Sequence, residues 1–404
     1  MISTIAVVGG GQAGAQAVDT LRRSGYSGRL VLICGEPELP YQRPPLSKKY
    51  LSGDLAAERL PFRHRAFYEE HGIELMIGVR AAALDPGARR LDLDNGDALD
   101  YDRLLLCLGS DVRPLTCRGA GLPGLHYLRN VADAASIRAA IKPGSRVIII
   151  GGGYIGLETA ATCRHLGCEV TVLELADRVM NRVAAPLVSH FFEQEHRARG
   201  INILCNMRVA HLEGAARIER VVCADGSEFA ADTVIAGVGA VPVTALAGDA
   251  GLACDNGIMV DEYCRTQDEA IFAAGDCSNH PSLRFGRRVR IESVDNAFEQ
   301  GKTAALNVLG KNIAHDRVPW FWSDQFESKL LIAGLSQDYD QQILRGDPAS
   351  RSFSICYLKG RELMAVEAVN HSKDYMAARK LIADRAQMNP AKLADPNLAL
   401  QDAV

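Results

Sequence analysis

The sequence predicts a multidomain protein of the α/β class, and three observations lead to this prediction. A chain of 404 residues is too long to fold around a single hydrophobic core. Two segments, 4–36 and 146–174, share one pattern: an apolar strand, a glycine-rich turn, a helix and a second apolar strand. From about residue 311 the pattern changes to short β-rich runs followed by a helix. We therefore expect two parallel-sheet domains and a C-terminal α+β domain.

The overall composition excludes some classes of function. The net charge is −4 and the isoelectric point is about 6.2, which gives no support for nucleic-acid binding. No apolar run reaches the roughly 18 residues of a membrane span. The 11 cysteines are scattered and odd in number, which is typical of a reducing cytosol. The chain starts with a strand and not with a signal peptide, so we expect a cytoplasmic protein with no membrane or nucleic-acid partner.

The first glycine-rich turn, at residues 9–14, reads Gly-Gly-Gly-Gln-Ala-Gly and has the spacing G-x-G-x-x-G. It follows the predicted strand Thr4–Val8. It precedes a helix that is expected to end near Arg23, and then the strand Arg29–Cys34. Such a turn at the N-terminus of a helix binds a pyrophosphate, because backbone N–H groups and the helix dipole both favour an anion.

Each glycine of this turn has a separate role. Gly9 permits the tight turn and Gly11 lets the pyrophosphate approach the backbone. Gly14 allows the helix to pack closely on the strand. An acidic residue about 20 positions further on accepts the ribose hydroxyls of such a nucleotide. Glu36, which follows the second strand, has this position.

The same pattern occurs a second time. The predicted elements are the strand Arg146–Ile150, the turn Gly-Gly-Gly-Tyr-Ile-Gly at 151–156, a helix to about Leu166, the strand Glu169–Leu173 and an acid at Glu174. One such motif alone is a weak signal, because glycine-rich turns often imitate it. Two motifs, each in its strand–helix–strand context and each with its acid, predict two bound dinucleotides.

Further segments resemble a known family. Residues 266–276, which end in Ala-Ala-Gly-Asp, resemble the second FAD-binding segment of the glutathione-reductase-like flavoproteins, in which the aspartate holds the ribitol chain. Three blocks narrow the resemblance to the putidaredoxin-reductase-like ferredoxin reductases: YQRPPLSK at 41–48, RIESV at 290–294 and PWFWSDQ at 319–325. Together with both glycine motifs, the resemblance covers nearly the whole chain.

The resemblance implies an enzyme that takes hydride from NADH onto FAD. The electrons then pass singly to a [2Fe-2S] ferredoxin, which serves a cytochrome P-450 or a Rieske-type oxygenase. It places FAD at the first glycine motif and NADH at the second. The FAD contacts that it implies are Gly9, Gly11, Ala13, Gly14, Glu36, Arg43, Lys48, Ala81, Arg129, Asp276, Val294 and Trp320. The NADH contacts are Gly151, Gly153, Ile155, Gly156, Glu174 and Gly239.

Domain limits follow from the order of the strands. A Rossmann-like FAD domain, 1–109 and 236–310, is split by an inserted Rossmann-like NADH domain at 110–235. The C-terminal α+β domain covers 311–404. Its expected elements are β-rich runs at Phe326–Leu335, Gln341–Arg345, Arg351–Leu358 and Glu362–Val369, a helix at Tyr375–Arg385 and a surface coil at Asp395–Val404.

Two departures from the family pattern concern the FAD site. Many relatives carry an acid one position before Glu36, where this chain has Gly35, so the ribose contact is expected to shift by one residue. The usual Ala-Thr-Gly at the end of the first FAD segment reads Cys107-Leu108-Gly109. The lost threonine hydroxyl removes a polar contact but does not block the flavin.

The acid of the second motif favours NADH over NADPH. A carboxylate at Glu174 accepts hydrogen bonds from the ribose 2′- and 3′-hydroxyls and repels a 2′-phosphate. Arg178 and Arg182 are close in the sequence and are the residues that could bind such a phosphate instead. We interpret them as arginines on a helix surface.

Few residues are candidates for the redox chemistry itself. The resemblance places Lys48 and Glu158 as a pair beside the flavin and Trp320 as a cap on it. The alternatives are a solvated Lys48, a surface Glu158 and a buried core Trp320. No cysteine group has the spacing of the usual iron–sulfur ligands, so we expect the cluster on a partner. Because such ferredoxins are usually acidic, the expected docking residues are basic: Arg59, Arg63 and Arg65 in one cluster, and Arg284, Arg287 and Arg288 in another.

Two other functions in the same fold stay open. A disulfide reductase or peroxidase needs a catalytic cysteine against the flavin, and the segment Leu39–Leu51, where it would lie, contains none. Cys163 and Cys168 are expected to be small buried residues at the end of the second helix. An apoptosis-inducing-factor-like flavoprotein that acts mainly by binding would show basic DNA-binding surface or long insertions, and the sequence has neither.

Overall fold

The computed structural model describes residues 2–404, which form two compact units. The first unit contains the residues up to Gln42, Ala57–Asp111 and Val241–Pro319. The second contains Arg43–Ala56, Val112–Ala240 and Trp320–Val404. The segment Arg43–Ala56 thus belongs to the second unit, although the sequence places it within the predicted FAD domain. The predicted domain limits describe another division of the chain and stay a prediction.

A five-stranded parallel sheet forms the centre of the first unit. Ile5 and Val7 of one strand pack into one core, while Ala6 and Val8 of the same strand pack into another. Both faces of the sheet are therefore covered, which explains why its strands are apolar at almost every position. In spatial order the strands are Ile271–Ala273, Arg103–Leu106, Thr4–Val8, Arg29–Cys34 and Ile73–Ile77.

Two small sheets and several helices complete the first unit. One sheet is formed by Ala81–Asp85, Arg90–Leu93 and Ala98–Asp100, and the other by Ile258–Met259, Ser278–Ser282 and Arg287–Val289. The helices are Gln12–Arg23, Arg65–Glu70, Ala245–Asp249 and Val294–Val308, with a 3₁₀ turn at Ala57–Arg59. The first and last of these helices pack closely, because Gly301 lies against the Ala13 backbone. A Cβ atom at Gly301 would be 2.4 Å from the Ala13 carbonyl oxygen.

The second unit contains another five-stranded parallel sheet. Its strands, in spatial order, are Asn202–Leu204, Glu169–Leu173, Arg146–Ile150, Thr233–Ala236 and Leu125–Tyr127. An antiparallel sheet is formed by Val209–Glu213, Arg220–Cys223 and Glu228–Ala230. The helices are Lys49–Ser52, Val131–Ala140, Tyr154–His165 and Pro186–Ala198, with a 3₁₀ turn at Pro44–Ser47. Short strands at Ser110–Val112 and Ala240–Pro242 lie where the chain passes from one unit to the other.

The C-terminal part of the second unit is an antiparallel sheet. Its strands, in spatial order, are Trp320–Gln325, Ser328–Gly334, Glu362–Val369, Ser352–Lys359 and Gln341–Asp347. The helices Ser372–Ala383 and Pro390–Leu393 follow, with 3₁₀ turns at Pro348–Ser350 and Leu400–Asp402. This sheet shares a hydrophobic core with the parallel sheet, since Leu51, Val147 and Phe353 belong to one buried cluster.

The structure confirms the α/β class and the bounds of the four strands that flank the two glycine-rich turns. Two expectations for the C-terminal region are wrong. Phe326 has a φ of 53° and lies in the turn between two strands, so the expected run Phe326–Leu335 begins too early and misses the strand Trp320–Gln325. The expected coil at Asp395–Val404 contains buried Leu400 and Ala403. No helix within residues 2–404 is both long and apolar enough to cross a membrane.

Candidate nucleotide and redox sites

The first glycine-rich turn of unit one has the geometry of an anion cradle. Gly11 is the N-cap of the Gln12–Arg23 helix, and no side chain caps the N–H groups of the first turn. A Cβ atom added at Gly11 would meet nothing within 4 Å, so the space above the helix N-terminus is open. Uncapped N–H groups beside an open space fit a pyrophosphate.

The other two glycines of this turn are required by close backbone contacts. Gly9 has a φ of +111°, and a Cβ atom there would lie 2.1 Å from the Cys107 carbonyl oxygen. A Cβ atom at Gly14 would lie 1.9 Å from the Gly9 carbonyl oxygen. Both distances are far inside contact range, so the motif is fixed by the tight turn and the helix packing that the sequence indicated.

Glu36 follows the strand Arg29–Cys34 in the position expected of a ribose acid. Its Oε2 accepts a hydrogen bond from the hydroxyl of buried Tyr41, at 2.5 Å. The Arg80 side chain lies beside the preceding residue: a Cβ atom at Gly35 would be 3.0 Å from it. Ala81, next to Arg80, starts a strand and packs at the edge of a core. The ribose role of Glu36 and the adenine role of Ala81 stay predictions.

The Gly275-Asp276 segment lies in the same unit and is held by polar contacts. Asp276 Oδ2 accepts from the Ser110 hydroxyl at 3.0 Å. The Gln300 side-chain oxygen accepts from Gly275 N–H at 2.8 Å and from the Ser278 hydroxyl at 2.7 Å. These three supporting residues were missed by sequence reasoning, because no motif links them to the aspartate.

Packing brings this segment to the first glycine-rich turn. A Cβ atom at Gly275 would lie 3.2 Å from the Ala13 Cβ, so the two segments are in contact. Val294 is the first residue of the Val294–Val308 helix, whose N-cap Ser293 accepts from Asn296 N–H. Unit one therefore joins Ala13, Asp276 and the helix that Val294 starts, all of which the sequence assigned to FAD.

The second glycine-rich turn, in unit two, repeats the geometry of the first. Gly153 is the N-cap of the Tyr154–His165 helix, no side chain caps it, and a Cβ atom there would meet nothing within 4 Å. Gly151 has a φ of +107°, and a Cβ atom at Gly156 would lie 2.1 Å from the Gly151 carbonyl oxygen. This cradle also fits a pyrophosphate. Ile155, beside it, is 48% exposed, which is high for an isoleucine.

Glu174 is oriented at this second cradle by two backbone groups. Its Oε2 accepts from Gly152 N–H at 2.6 Å and its Oε1 accepts from Ala176 N–H at 2.8 Å. The carboxylate is therefore held beside the glycine-rich turn and retains lone pairs for further donors. Gly239 lies near the exposed Arg182: a Cβ atom at Gly239 would be 3.4 Å from the guanidinium.

The interpretation of Arg178 and Arg182 as helix-surface residues is wrong. Both lie in the turns between the strand Glu169–Leu173 and the helix Pro186–Ala198. The Arg178 guanidinium donates to the carbonyls of Ala184 and Asn181 and to the Ser189 hydroxyl. The N–H groups of Arg178 thus stabilise the local backbone. Of the two arginines, only Arg182 is exposed.

The predicted pair of Lys48 and Glu158 is formed within unit two. Lys48 Nζ lies 2.6 Å from Glu158 Oε2, with side-chain exposures of 22% and 3%. The turn that carries Lys48 is anchored from both sides, since the Thr162 hydroxyl donates to the Ser47 carbonyl and Leu51 is fully buried. The carboxylate of Glu158 is therefore buried and not on the surface, which excludes that alternative.

Sequence reasoning missed two further donors to Glu158. The Ser47 hydroxyl donates to its Oε2 at 2.6 Å, and the Ser323 hydroxyl donates to its Oε1 at 2.7 Å. Arg43, in the same turn region, donates to the Arg129 carbonyl at 2.8 Å, so two more residues assigned to FAD lie together. Ser323 lies in the PWFWSDQ block, but no sequence pattern links it to Glu158, because the two residues are 165 positions apart.

Trp320 is half-buried and does not belong to the described core clusters. Its ring centroid lies 5.5 Å from that of Trp322 and 5.8 Å from that of Tyr375. The Arg379 guanidinium lies 5.3 Å from the Trp320 ring centroid, within cation–π range. This aromatic group lines a cavity of about 380 Å³. Its role as a flavin cap stays a prediction.

The cysteines give no support for a thiol-dependent enzyme. Cys163 and Cys168 are fully buried as expected, although Cys168 follows the helix and does not lie in it. Burial raises the pKa of both thiols. Cys34 and Cys107 border the first glycine-rich turn, and burial raises the pKa of Cys34 to about 12 and that of Cys107 well above its usual value. Thiols with raised pKa values are poor nucleophiles at neutral pH.

The two basic clusters differ in exposure. Arg59, Arg63 and Arg65 are all exposed. In the other cluster, the Arg284 side chain is only 10% exposed and lies 3.5 Å from Asp316. Arg288 is exposed as a residue, but its guanidinium donates to the carbonyls of Val260 and Asn279. Docking of a partner at these clusters stays a prediction.

Comparisons with known proteins agree with this geometry. Residues 3–301 match the family model described as pyridine nucleotide-disulphide oxidoreductase, and residues 320–404 match that of the reductase C-terminal domain. A 5,5′-dehydrodivanillate O-demethylase ferredoxin reductase subunit from Sphingobium sp. is 42% identical over 400 residues, which is 98% of this chain and 97% of that protein. Putidaredoxin reductase from Pseudomonas putida is 40% identical over 406 residues, which is 99% of this chain and 96% of that protein.

A solved structure supports the same assignment. The covalent complex of putidaredoxin reductase with putidaredoxin contains a chain that matches with a TM-score of 0.96 and 40% identity, over 99% of this chain and 97% of that one. This match confirms the resemblance stated from the sequence. The protein is therefore an oxidoreductase that uses FAD and a nicotinamide dinucleotide. The chain belongs to the pyridine nucleotide-disulphide oxidoreductase family and is one of its putidaredoxin-reductase-like members.

Proposed function

We propose that this protein is an NADH-dependent ferredoxin reductase that supplies electrons to a cytochrome P-450 or Rieske-type oxygenase through a [2Fe-2S] ferredoxin. The observation that carries the proposal is the presence of two open, uncapped glycine-rich cradles, at Gly11 and Gly153, each followed by an acid. Two relatives whose names specify ferredoxin or putidaredoxin reduction support the acceptor. The odd number of unpaired cysteines favours a cytoplasmic location.

Each part of the chain has a proposed task in this reaction. The cradle at Gly9, Gly11 and Gly14 binds the FAD pyrophosphate, and the cradle at Gly151 and Gly153 binds that of NADH. Bound FAD accepts two electrons as hydride and can release them one at a time. Because the thiols that border the first cradle have raised pKa values, no thiol relay of electrons is proposed.

Lys48 and Glu158 are the proposed catalytic pair. A cation at Lys48 stabilises the negative charge that a flavin gains on reduction, and this effect is larger in a site of low dielectric constant. Glu158, whose side chain is 3% exposed and whose Oε2 lies 2.6 Å from the ammonium, orients that ammonium. Arg43, Arg129 and Trp320 are proposed to position the flavin.

The function is tested by the choice of electron acceptor. NADH-driven reduction should be measured with [2Fe-2S] ferredoxins from P-450 systems and from Rieske systems, and with small disulfides as the comparison. We expect rapid reduction of at least one ferredoxin and negligible turnover of disulfides. Efficient disulfide turnover would favour the thiol-dependent alternative. Slow reduction of every ferredoxin would favour a flavoprotein that acts mainly by binding.

The coenzyme preference is a separate prediction. We expect kcat/KM for NADH to exceed that for NADPH by at least about tenfold, or about 1.4 kcal/mol, because the oriented Glu174 carboxylate repels a 2′-phosphate. The substitution Glu174→Gln keeps the size of the side chain but removes its charge. It should lower the ratio of kcat/KM for NADH to kcat/KM for NADPH. Asp177→Asn, which neutralises an exposed carboxylate nearby, is the matched control and should leave the ratio unchanged. Equal efficiency of the two coenzymes in the unmodified enzyme would contradict the prediction.

Ferredoxin docking on the basic clusters is also open to test. We expect the double change Arg63→Glu and Arg287→Glu to raise the KM for ferredoxin at least about threefold at low salt, because like charges then oppose an acidic partner. The effect should shrink as salt is added. Arg208→Glu, at an exposed arginine of the other unit, is the control. An unchanged KM in the double variant would count against both clusters.

A further inference from the structure

Glu158 lies at the end of a chain of buried hydrogen bonds. Its carboxylate accepts from Lys48 and Ser47 at Oε2 and from Ser323 at Oε1. Ser323 and Gln325 are two residues apart in one strand, so their side chains lie on the same face of the sheet. Ser323 is fully buried and Gln325 is 1% exposed. The polar side-chain atoms of these two residues therefore depend on the protein for their hydrogen-bond partners.

The hydrogen bonds that lead from His196 to Glu158 all have the same direction. The Gln325 amide nitrogen donates to the Ser323 hydroxyl oxygen at 3.1 Å, and this leaves the single Ser323 proton for Glu158. The Gln325 carbonyl oxygen, which can only accept, lies 2.9 Å from Nε2 of His196, so that nitrogen carries the proton. His196 is fully buried, and burial lowers its pKa to about 4, so the ring is neutral at pH 7. From His196 to Glu158, each hydrogen therefore points towards the carboxylate.

A series of hydrogen bonds that all point the same way stabilises one orientation of the carboxylate. Each bond polarises the next, so the Ser323 hydroxyl is a stronger donor than an isolated serine. A buried carboxylate that accepts several such bonds is stabilised as an anion. A Glu158 fixed through Oε1 presents Oε2 to the Lys48 ammonium, whose position then depends on the Trp320–Gln325 strand.

We propose that Ser323 and Gln325 are positioning residues for the redox pair: through Oε1 they hold Glu158 in one orientation, and thereby hold Lys48. This inference rests on the proposed role of Lys48 and Glu158 in flavin reduction. It assigns a part in the reaction to the C-terminal sheet. Neither residue touches the reacting atoms in this proposal, because both act through Glu158.

The test compares Ser323→Ala with Ser354→Ala in the FAD-loaded enzyme. Ser354 is also fully buried and also donates to a carboxylate, that of Asp374, so its loss costs similar packing and one similar hydrogen bond. We expect Ser323→Ala to slow flavin reduction by NADH at least about fivefold in stopped-flow, with little change in the Kd of NADH, and to lower the flavin midpoint potential. Ser323→Thr, which restores a hydroxyl, should recover most of the rate, and Ser354→Ala should behave as the unmodified enzyme.

A spectroscopic measurement on the protein without flavin supplies an independent result. The infrared band of the Glu158 carboxylate is identified by its disappearance in Glu158→Gln, and it should shift in Ser323→Ala but not in Ser354→Ala. If Ser323→Ala folds poorly, Gln325→Met removes the donor to Ser323 while keeping the side-chain length, and should give a smaller shift and a smaller slowing. An unshifted band, or equal slowing in Ser323→Ala and Ser354→Ala, would overturn the inference.

The rate of flavin reduction in Lys48→Met, measured in the same series, separates this inference from the proposed function. Slow reduction in Lys48→Met with normal reduction in Ser323→Ala would overturn the positioning role alone. Normal reduction in Lys48→Met would overturn the proposed role of the pair, on which this inference rests.

Discussion

Replacement of Lys48 by methionine is expected to lower the flavin midpoint potential and to slow its reduction by NADH, with a smaller effect on FAD content. Methionine keeps most of the length of the side chain but removes the charge that we propose stabilises reduced flavin. A tenfold slowing corresponds to about 1.4 kcal/mol. The same energy in a two-electron couple corresponds to about 30 mV. Stopped-flow reduction and a redox titration of the same variant measure the two effects.

Two control variants test whether the effect of Lys48→Met is specific. Lys49→Met changes the exposed neighbouring lysine and should leave both quantities unchanged. Removing Lys48 also leaves Glu158 buried without its cation, which could by itself disturb the structure. The double variant Lys48→Met with Glu158→Gln removes that carboxylate charge, and the slow reduction should persist in it. Recovery in the double variant would mean that the cation acts on Glu158 alone, and an unchanged single variant would exclude the proposed role.

A second large effect is expected at Arg345, where methionine should destabilise the C-terminal part of the chain by about 3–5 kcal/mol. The Arg345 side chain is 3% exposed and lies 3.0 Å from Asp374. It also donates to the carbonyls of Leu393, Asp395 and Leu398. The variant leaves a buried carboxylate and three carbonyl groups without this donor.

Hydrogen exchange of residues 320–404 is the suitable measurement, because unfolding of a chain with several domains is not two-state. Arg361→Met is the control: Arg361 is exposed, donates to one carbonyl, that of Met388, and its loss should cost less than about 1 kcal/mol. The double variant Arg345→Met with Asp374→Leu should recover much of the stability that Arg345→Met loses, because no buried carboxylate is then left without its cation. Unchanged exchange in Arg345→Met would show that the pair is not needed for stability.

The sequence predicted those parts of the site that depend on local backbone geometry. The contacts of Gly14 with Gly9 and of Gly156 with Gly151 join residues of one short turn, and both turns have the expected shape. The pairing of Lys48 with Glu158 was available only through resemblance. The hydrogen bonds of Ser323 with Glu158 and of Gln300 with Gly275 were not predictable, because a single serine or glutamine side chain gains its partner through tertiary packing.

The same distinction explains the errors in the C-terminal region. A surface coil was expected at Asp395–Val404, but the buried Arg345 donates to the carbonyls of Asp395 and Leu398 within it and of Leu393 before it. Phe326 was included in a strand because phenylalanine favours strands, whereas tertiary context gives it a positive φ. The true position of Arg178 was not predictable, because its acceptors, including Ala184 and Ser189, are brought to it by the path of the chain and not by its composition.

The membership of Arg43–Ala56 in the second unit has a consequence for biosynthesis. Phe353, which belongs to the same core cluster as Leu51, is translated about 300 residues after it. At about 5–20 residues per second, the ribosome needs roughly 15–60 s to synthesise that interval. During this time Leu51 lacks part of its apolar surroundings, and a nascent chain with such an exposed segment is a substrate for chaperones. The unit that carries the proposed redox pair is therefore completed only after its C-terminal sheet has been synthesised.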